Sequence, residues 1–166
     1  MRLALIGVGL IGASAAWAMK RGGVFETVSA FDLSAQSARK AVEMGIADMA
    51  ADTLEACVQG ADAVLVAVPV LAIEKVMAQI EPFLEDETLV TDVGSVRGVV
   101  IEGARRALKE KFVNYAPVHP IAGGEMPGVD YADADLFVGA KAISTPVADI
   151  GDRAVQFWEN AWKTAG

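Results

Sequence analysis

The chain's only histidine, His119, sits in the run Val118-His119-Pro120-Ile121-Ala122-Gly123-Gly124-Glu125, beside prolines, glycines and a carboxylate. A neutral imidazole can take a proton from a hydroxyl near neutral pH, so His119 is a candidate acid–base group. At the other end of the chain, Gly7-Val8-Gly9-Leu10-Ile11-Gly12 follows an apolar run and opens an amphipathic stretch. In a G-x-G-x-x-G loop the first glycine permits a tight turn, the second lets a pyrophosphate approach the backbone, and the third lets helix pack on strand. The helix amides then face the phosphates. Gly7, Val8, Gly9, Leu10, Ile11 and Gly12 are therefore expected to line a dinucleotide site. Asp32, twenty residues beyond Gly12, stands where a carboxylate would accept from both ribose hydroxyls and repel a 2′-phosphate. NAD is expected over NADP. Leu33 and Ser34 follow instead of arginine, with Arg39 the nearest cation in sequence.

Two further stretches belong to the same chemistry. Val68-Pro69 closes an apolar run at the edge where ligands bind in open α/β sheets, and Pro69 suits helix initiation equally well. Thr91-Asp92-Val93-Gly94-Ser95-Val96-Arg97 ends another such run. Its Ser95 could share an oxygen with His119, orient the ring, or cap the helix that follows. Glu125 is either a site carboxylate or a solvated loop residue. One histidine and one distant cysteine supply neither the count nor the spacing of a metal site, so none is expected. No Gly-x-Ser-x-Gly elbow speaks for a hydrolase.

The elements that must position these groups follow from periodicity. Leu3 to Ile6 has the pattern of a strand buried on both faces. A helix is expected from Leu10 to Arg21, ended by Gly22-Gly23, then a strand over Thr27 to Asp32 and a helix over Ser34 to Met44. A short strand at Ala47 to Ala50, a helix at Thr53 to Val58, a strand at Asp62 to Val68 and a helix to about Ile80 continue the alternation. Strands at Thr88 to Asp92 and Phe112 to Ala116 flank a helix carrying Val96, Val99, Val100, Ala104 and Leu108 at helical spacing. A long loop is expected from Pro117 to about Gly139, then a strand at Lys141 to Ser144 and a last helix marked by Ile150, Ala154, Phe157, Trp158 and Ala161. This alternation implies an α/β fold with a doubly wound, mostly parallel sheet of the Rossmann-like kind, one dinucleotide-binding domain over residues 1–166. Trp158 and Trp162 either pack on the sheet or leave an apolar strip for docking.

Composition narrows the partners. With 54% hydrophobic and 22% charged residues the chain can bury a real core. A net charge of -8 disfavours nucleic acid and anionic membranes as partners. Cys57 is alone and is expected to be a buried structural thiol in a reducing compartment. The apolar start is broken by Gly7, Gly9 and Gly12 before a signal peptide could be completed, and no apolar run reaches the ~18 residues of a membrane span. A cytoplasmic protein is expected.

The motifs resemble the nucleotide-binding domain of the prephenate dehydrogenase family, which includes arogenate and cyclohexadienyl dehydrogenases, over nearly the whole chain. The resemblance is carried by Gly7 to Ser14, Val66-Ala67-Val68-Pro69-Val70, Thr91 to Val96, and most specifically by His119-Pro120-Ile121-Ala122-Gly123-Gly124-Glu125-Met126-Pro127-Gly128-Val129 with Asp135-Leu136-Phe137. It implies NAD-dependent oxidative decarboxylation of prephenate or arogenate toward tyrosine. His119 would bind and deprotonate the ring hydroxyl, Ser95 would be its partner, and Glu125 would border the substrate entrance. Arg97 stands where the family usually has lysine, and Gly124 and Met126-Pro127 replace more polar residues. The family continues past this point into a helical domain that supplies dimer contacts and a substrate-binding arginine. The resemblance thus implies a chain without that C-terminal domain, which holds NAD, binds a dicarboxylate poorly, and turns over weakly unless a homodimer or partner chain supplies the rest. The alternatives are a noncatalytic NAD-binding module and another dehydrogenase on the same sheet.

Overall fold

The computed structural model describes residues 1–124 and 126–166. Glu125 lies outside the described residues. Seven strands form one sheet: β1 (Arg2–Ile6), β2 (Thr27–Phe31), β3 (Met49–Ala50), β4 (Ala63–Val66), β5 (Leu89–Asp92), β6 (Tyr115–Ile121) and β7 (Lys141–Ser144). Their order is β3-β2-β1-β4-β5-β6-β7, parallel throughout except for β7, which runs antiparallel to β6. The connecting helices are α1 (Leu10–Arg21), α2 (Ala35–Glu43), α3 (Leu54–Val58), α4 (Val70–Ile80), α5 (Arg97–Leu108) and α6 (Asp152–Ala165).

β1 reads as an unbroken apolar run because both of its faces are covered. Leu3 and Leu5 join the core beneath α1, α2 and α6, whereas Ala4 and Ile6 join the core beneath α3, α4 and α5. β4 alternates in the same way, Ala63 and Leu65 to one side, Val64 and Val66 to the other. A slip of one residue would exchange the two sets, so register is fixed by side-chain size on both faces. Helix ends follow local chemistry: Ser34 Oγ accepts from Ser37 N to start α2, and Thr53 Oγ1 accepts from Ala56 N to start α3.

Trp158 is fully buried and Trp162 only 5% exposed, so these rings pack on the sheet and form no docking strip. Phe25, Phe157 and Phe137 meet them, the last two edge-on. Cys57 is also fully buried, its Sγ donating to the Leu5 and Ser29 carbonyls. Among the described residues, no helix is long and apolar enough to cross a membrane.

The main departure from the sequence reading is β6. It neither starts at Phe112, which lies in a 3₁₀ turn over Lys109–Asn114, nor ends at Ala116; it extends to Ile121, so His119 lies within a strand and not in a loop. Prolines at 117 and 120 read as strand breakers. The break does not occur because β7 pairs antiparallel with residues Val118 to Ile121 after β5 has ended opposite Pro117. Pro120 falls beyond that last pair, so its missing N–H deprives no β5 carbonyl. The expected loop from Pro117 to Gly139 is further shortened by a 3₁₀ turn at Val129–Tyr131.

Candidate functional site

β1 ends at Ile6 and the chain turns at once. Gly7 adopts φ +94° with its amide on the Phe31 carbonyl at 2.9 Å, and a Cβ here would collide with the Ala67 carbonyl. A Cβ on Gly12 would lie 2.6 Å from Ala67 Cβ. Both glycines are therefore demanded by packing alone. Gly9 is different: nothing lies within 4 Å of its would-be Cβ, so its lack of a side chain keeps space open. It is also the N-cap of α1, which has neither a side-chain cap nor an acidic residue in its first turn. The helix amides are thus free for an anion.

Asp32 lies just past β2. Its Oδ2 accepts from Val8 N at 2.7 Å and its Oδ1 from Ser34 N at 2.8 Å. The carboxylate is therefore held by the glycine loop on one side and the α2 cap on the other.

Two cavities meet over this edge of the sheet, where β1 and β4 are neighbours and the strand order reverses. One, of about 670 Å³, is walled by Gly7, Asp32, Leu33, Leu54 and Val76 among others. The other, of about 610 Å³, is walled by Leu10, Ile11, Gly12, Val93, Ala122 and Gly124 among others. Gly9, Ala67, Val68 and Pro69 line both, joining them into one groove. Eight of the nine residues expected to hold a cofactor thus face the groove, and the ninth, buried Val8, contributes its amide to Asp32. Pro69 serves in both ways considered: it occupies the N-cap of α4 and lines the groove. The groove suits a dinucleotide, with a carboxylate at one end, free helix amides and an uncrowded glycine in the middle, and an apolar chamber beyond.

The chemical end is organised by a residue that the sequence reading passed over. Asp92, the last residue of β5, is fully buried. It accepts from the Tyr115 hydroxyl, from Gly94 N at 2.6 Å, and from Arg97 Nη2 at 3.1 Å. Burial pushes its carboxyl up, opposed by the Arg97 charge, the Tyr115 hydroxyl and the Gly94 amide. Burial and the neighbouring Asp92 likewise push the Tyr115 phenol far above its usual range. The bonds to the Asp92 carboxylate tie β5, β6 and the turn into α5 together, while Arg97 Nε and Nη1 are buried without a hydrogen-bond partner among the described residues. The visible signal was an aspartate at the end of an otherwise apolar strand, which has to find partners.

Ser95 is exposed on that turn and does not cap α5; Val96 holds the N-cap position, without a side-chain bond. Asp92 takes the amide of Gly94, which precedes the helix, and so fixes the turn that carries Ser95 without capping α5. His119, half-buried, is four residues along β6 from Tyr115 and so on the same face of the sheet. Its Nδ1 is enclosed with no hydrogen-bond partner among the described residues. Neither Ser95 nor His119 is in the walls of the two cavities, which instead include Val93 and Ala122 nearby in the chain. Arg97 gives Nη2 to Asp92 and its side chain is only 17% exposed, with Nε and Nη1 enclosed and without a hydrogen-bond partner among the described residues. Sequence reasoning also missed Gly123, Gly124, Pro127 and Gly128 as groove walls. Among the described residues, no three His, Cys, Asp or Glu side chains gather as a metal ion would require.

Comparison with known proteins places these features in a family. Residues 15–166 match the family described as prephenate dehydrogenase, nucleotide-binding domain. The chain is 35% identical over 164 residues to a cyclohexadienyl dehydrogenase of Zymomonas mobilis, covering 99% of this chain and 55% of that protein. It superposes with a TM-score of 0.92 on a prephenate dehydrogenase from Aquifex aeolicus in complex with hydroxyphenyl propionate and NAD+, at 28% identity over 100% of this chain and 57% of that one. Synechocystis arogenate dehydrogenase gives 0.91 at 28% identity, again over 100% and 57%. The chain thus spans a little over half the length of these relatives.

Proposed function

The chain belongs to the prephenate dehydrogenase nucleotide-binding domain family, and from that premise we propose that it binds NAD in the groove over β1 and β4 and takes part in oxidative decarboxylation of prephenate or arogenate, in tyrosine biosynthesis. The observation that carries the cofactor half of this reading is the split role of the glycines, with Gly9 alone kept open beside uncapped helix amides and Asp32. Asp32 would receive the ribose hydroxyls, Gly9 and the α1 amides the pyrophosphate, and the chamber between Leu10 and Ala122 the nicotinamide. When bound there, NAD would supply the hydride acceptor.

The chain's own chemistry is proton handling. His119 accepts the proton of the substrate's ring hydroxyl as that carbon is oxidised, which stabilises the developing carbonyl. Ser95, exposed on the turn that Asp92 fixes, hydrogen-bonds the same oxygen. Loss of carbon dioxide then aromatises the ring and makes the step effectively irreversible. By the family resemblance, Glu125 would complete the set of substrate-binding residues. With Arg97 paired through Nη2 to Asp92 and largely buried, it would add little to the binding of substrate carboxylates, for which a second copy or a partner chain is the proposed source of cations.

Calorimetric titration with NAD and NADP, followed by prephenate into the NAD-saturated protein, tests the reading. NAD binding with NADP weaker by about tenfold or more, roughly 1.4 kcal/mol, is expected; absence of NAD binding sinks it. The competing reading, a nucleotide-binding module without chemistry, draws on the fact that neither Ser95 nor His119 lines the groove cavities. A His119→Asn variant separates the two. Loss of whatever NADH formation the wild type shows, at unchanged NAD affinity, supports catalysis, whereas no NADH formation by the wild type with either substrate or a partner favours the module.

A further inference from the structure

The wall of the groove opposite β4 is built partly from Gly123, Gly124, Pro127 and Gly128, residues with little side chain to hold them in place. One end of this stretch is anchored by β6. The other is anchored on α1, through a buried serine that the proposed cofactor and proton-transfer roles leave unused. Ser14 is fully buried in α1, and its Oγ accepts from Asp133 N at 2.9 Å, across 119 residues of sequence. Two turns further along the same helix, Arg21 Nη2 reaches the Ala134 carbonyl at 3.1 Å and the Asp135 carboxylate. Asp133 Oδ1 in turn accepts from Asp135 N at 2.8 Å, so the three residues form a compact knot against α1. Between knot and wall lies Val129, 4% exposed and part of the core beneath α1. At the wall itself, a Cβ on Gly124 would stand 3.1 Å from Leu10 in the first turn of α1. Helix α1 therefore carries both sides of this chamber: its amides form the floor, and its Ser14 and Arg21 fix the chain that forms the wall.

Resting on the nucleotide-binding reading above, we propose that Ser14 and Arg21 are positioning residues for the pyrophosphate–nicotinamide half of the cofactor, acting through the 127–135 segment without touching the ligand. AMP occupies only the Asp32 side of the groove, whereas NAD needs both. The two ligands therefore separate this role from general support of the fold.

The test is titration of wild type, Ser14→Ala and Arg21→Ala with NAD and with AMP, alongside thermal melts. Alanine suits the helix at position 14 and removes only the acceptor. Loss of one such bond should weaken NAD about three- to tenfold while AMP affinity is unchanged. Arg21→Ala, altering a side chain that is 53% exposed, should shift NAD in the same direction and keeps the test alive if the Ser14 variant does not fold. NAD affinity unaltered in both variants, or NAD and AMP weakened in parallel, overturns the proposal. Wild type that binds neither ligand would instead overturn the nucleotide-binding reading, and this inference with it.

Discussion

The Val8 amide donates to Asp32 Oδ2 at 2.7 Å, so the glycine loop itself aims the carboxylate that faces the ribose side of the groove. Asparagine has one acceptor oxygen where Asp32 uses two, so Asp32→Asn keeps either the Val8 or the Ser34 amide bond and turns its NH2 toward the other. Asp32→Asn should therefore cost about 1–3 kcal/mol of stability through the one lost bond, while removing the charge that repels a 2′-phosphate. The preference for NAD over NADP should fall about tenfold or more, roughly 1.4 kcal/mol. Parallel titrations check it, and an unaltered NAD/NADP ratio would show that Asp32 does not set cofactor choice.

The three glycines of the loop make different demands. Gly9→Ala introduces a methyl into open space, so stability should hold while dinucleotide affinity drops, since that space lies in both parts of the groove. Gly12→Ala forces its Cβ onto Ala67 and should cost about 1–3 kcal/mol of stability through overpacking. Melts and NAD titrations of the two variants should give opposite patterns. Equal loss of stability in both would contradict the division.

How much of this was legible beforehand differs by element. α1 and β7 have the expected bounds because each is a short periodic run ended by glycines or turn residues. The glycine loop, Asp32 and the Val68-Pro69 edge were readable because their spacing encodes a backbone geometry. β6 was not, since the pairing that carries it past Pro117 and Pro120 comes from β7, over twenty residues further on. The Asp92 cluster was hidden for the same reason: Tyr115 and Arg97 become partners only when β5, β6 and α5 assemble. Ser14 gave no local sign at all, because its partner is 119 residues away.

Cys57 gives a prediction in the alkaline range. Burial pushes its thiol up to about 11, whereas an unfolded cysteine titrates near ~8.5. Between those values the native state holds a proton that the unfolded state has lost, so stability is full below the lower value and declines as pH rises through the upper one. The folded protein should resist thiol-directed disulfide reagents at pH 8 and react with one equivalent once unfolded in denaturant. Fast reaction of the native protein would mean that the thiol is accessible after all.

Asp92 carries the same sign into the acid range. Burial raises its carboxyl above the ordinary value, more than Arg97, Tyr115 and Gly94 lower it. An unfolded aspartate titrates near ~3.9. From there up to the raised native value, the folded state binds more protons than the unfolded one, and stability attributable to Asp92 falls as pH rises. Asp92→Asn abolishes that dependence. It also leaves Arg97 buried without its anion, an arrangement whose cost is about 3–5 kcal/mol when one partner of a buried pair is removed. The variant should therefore be less stable at every pH, but the deficit should shrink as pH rises from the ordinary carboxyl range through the raised native one, because the wild type loses the Asp92 contribution there while the variant has none to lose. Urea denaturation of both proteins at half-unit pH steps measures the gap directly. A gap that widens with pH would show that the Arg97, Tyr115 and Gly94 contacts outweigh desolvation, and that Asp92 is held ionised at the turn bearing Ser95 at a net gain in stability.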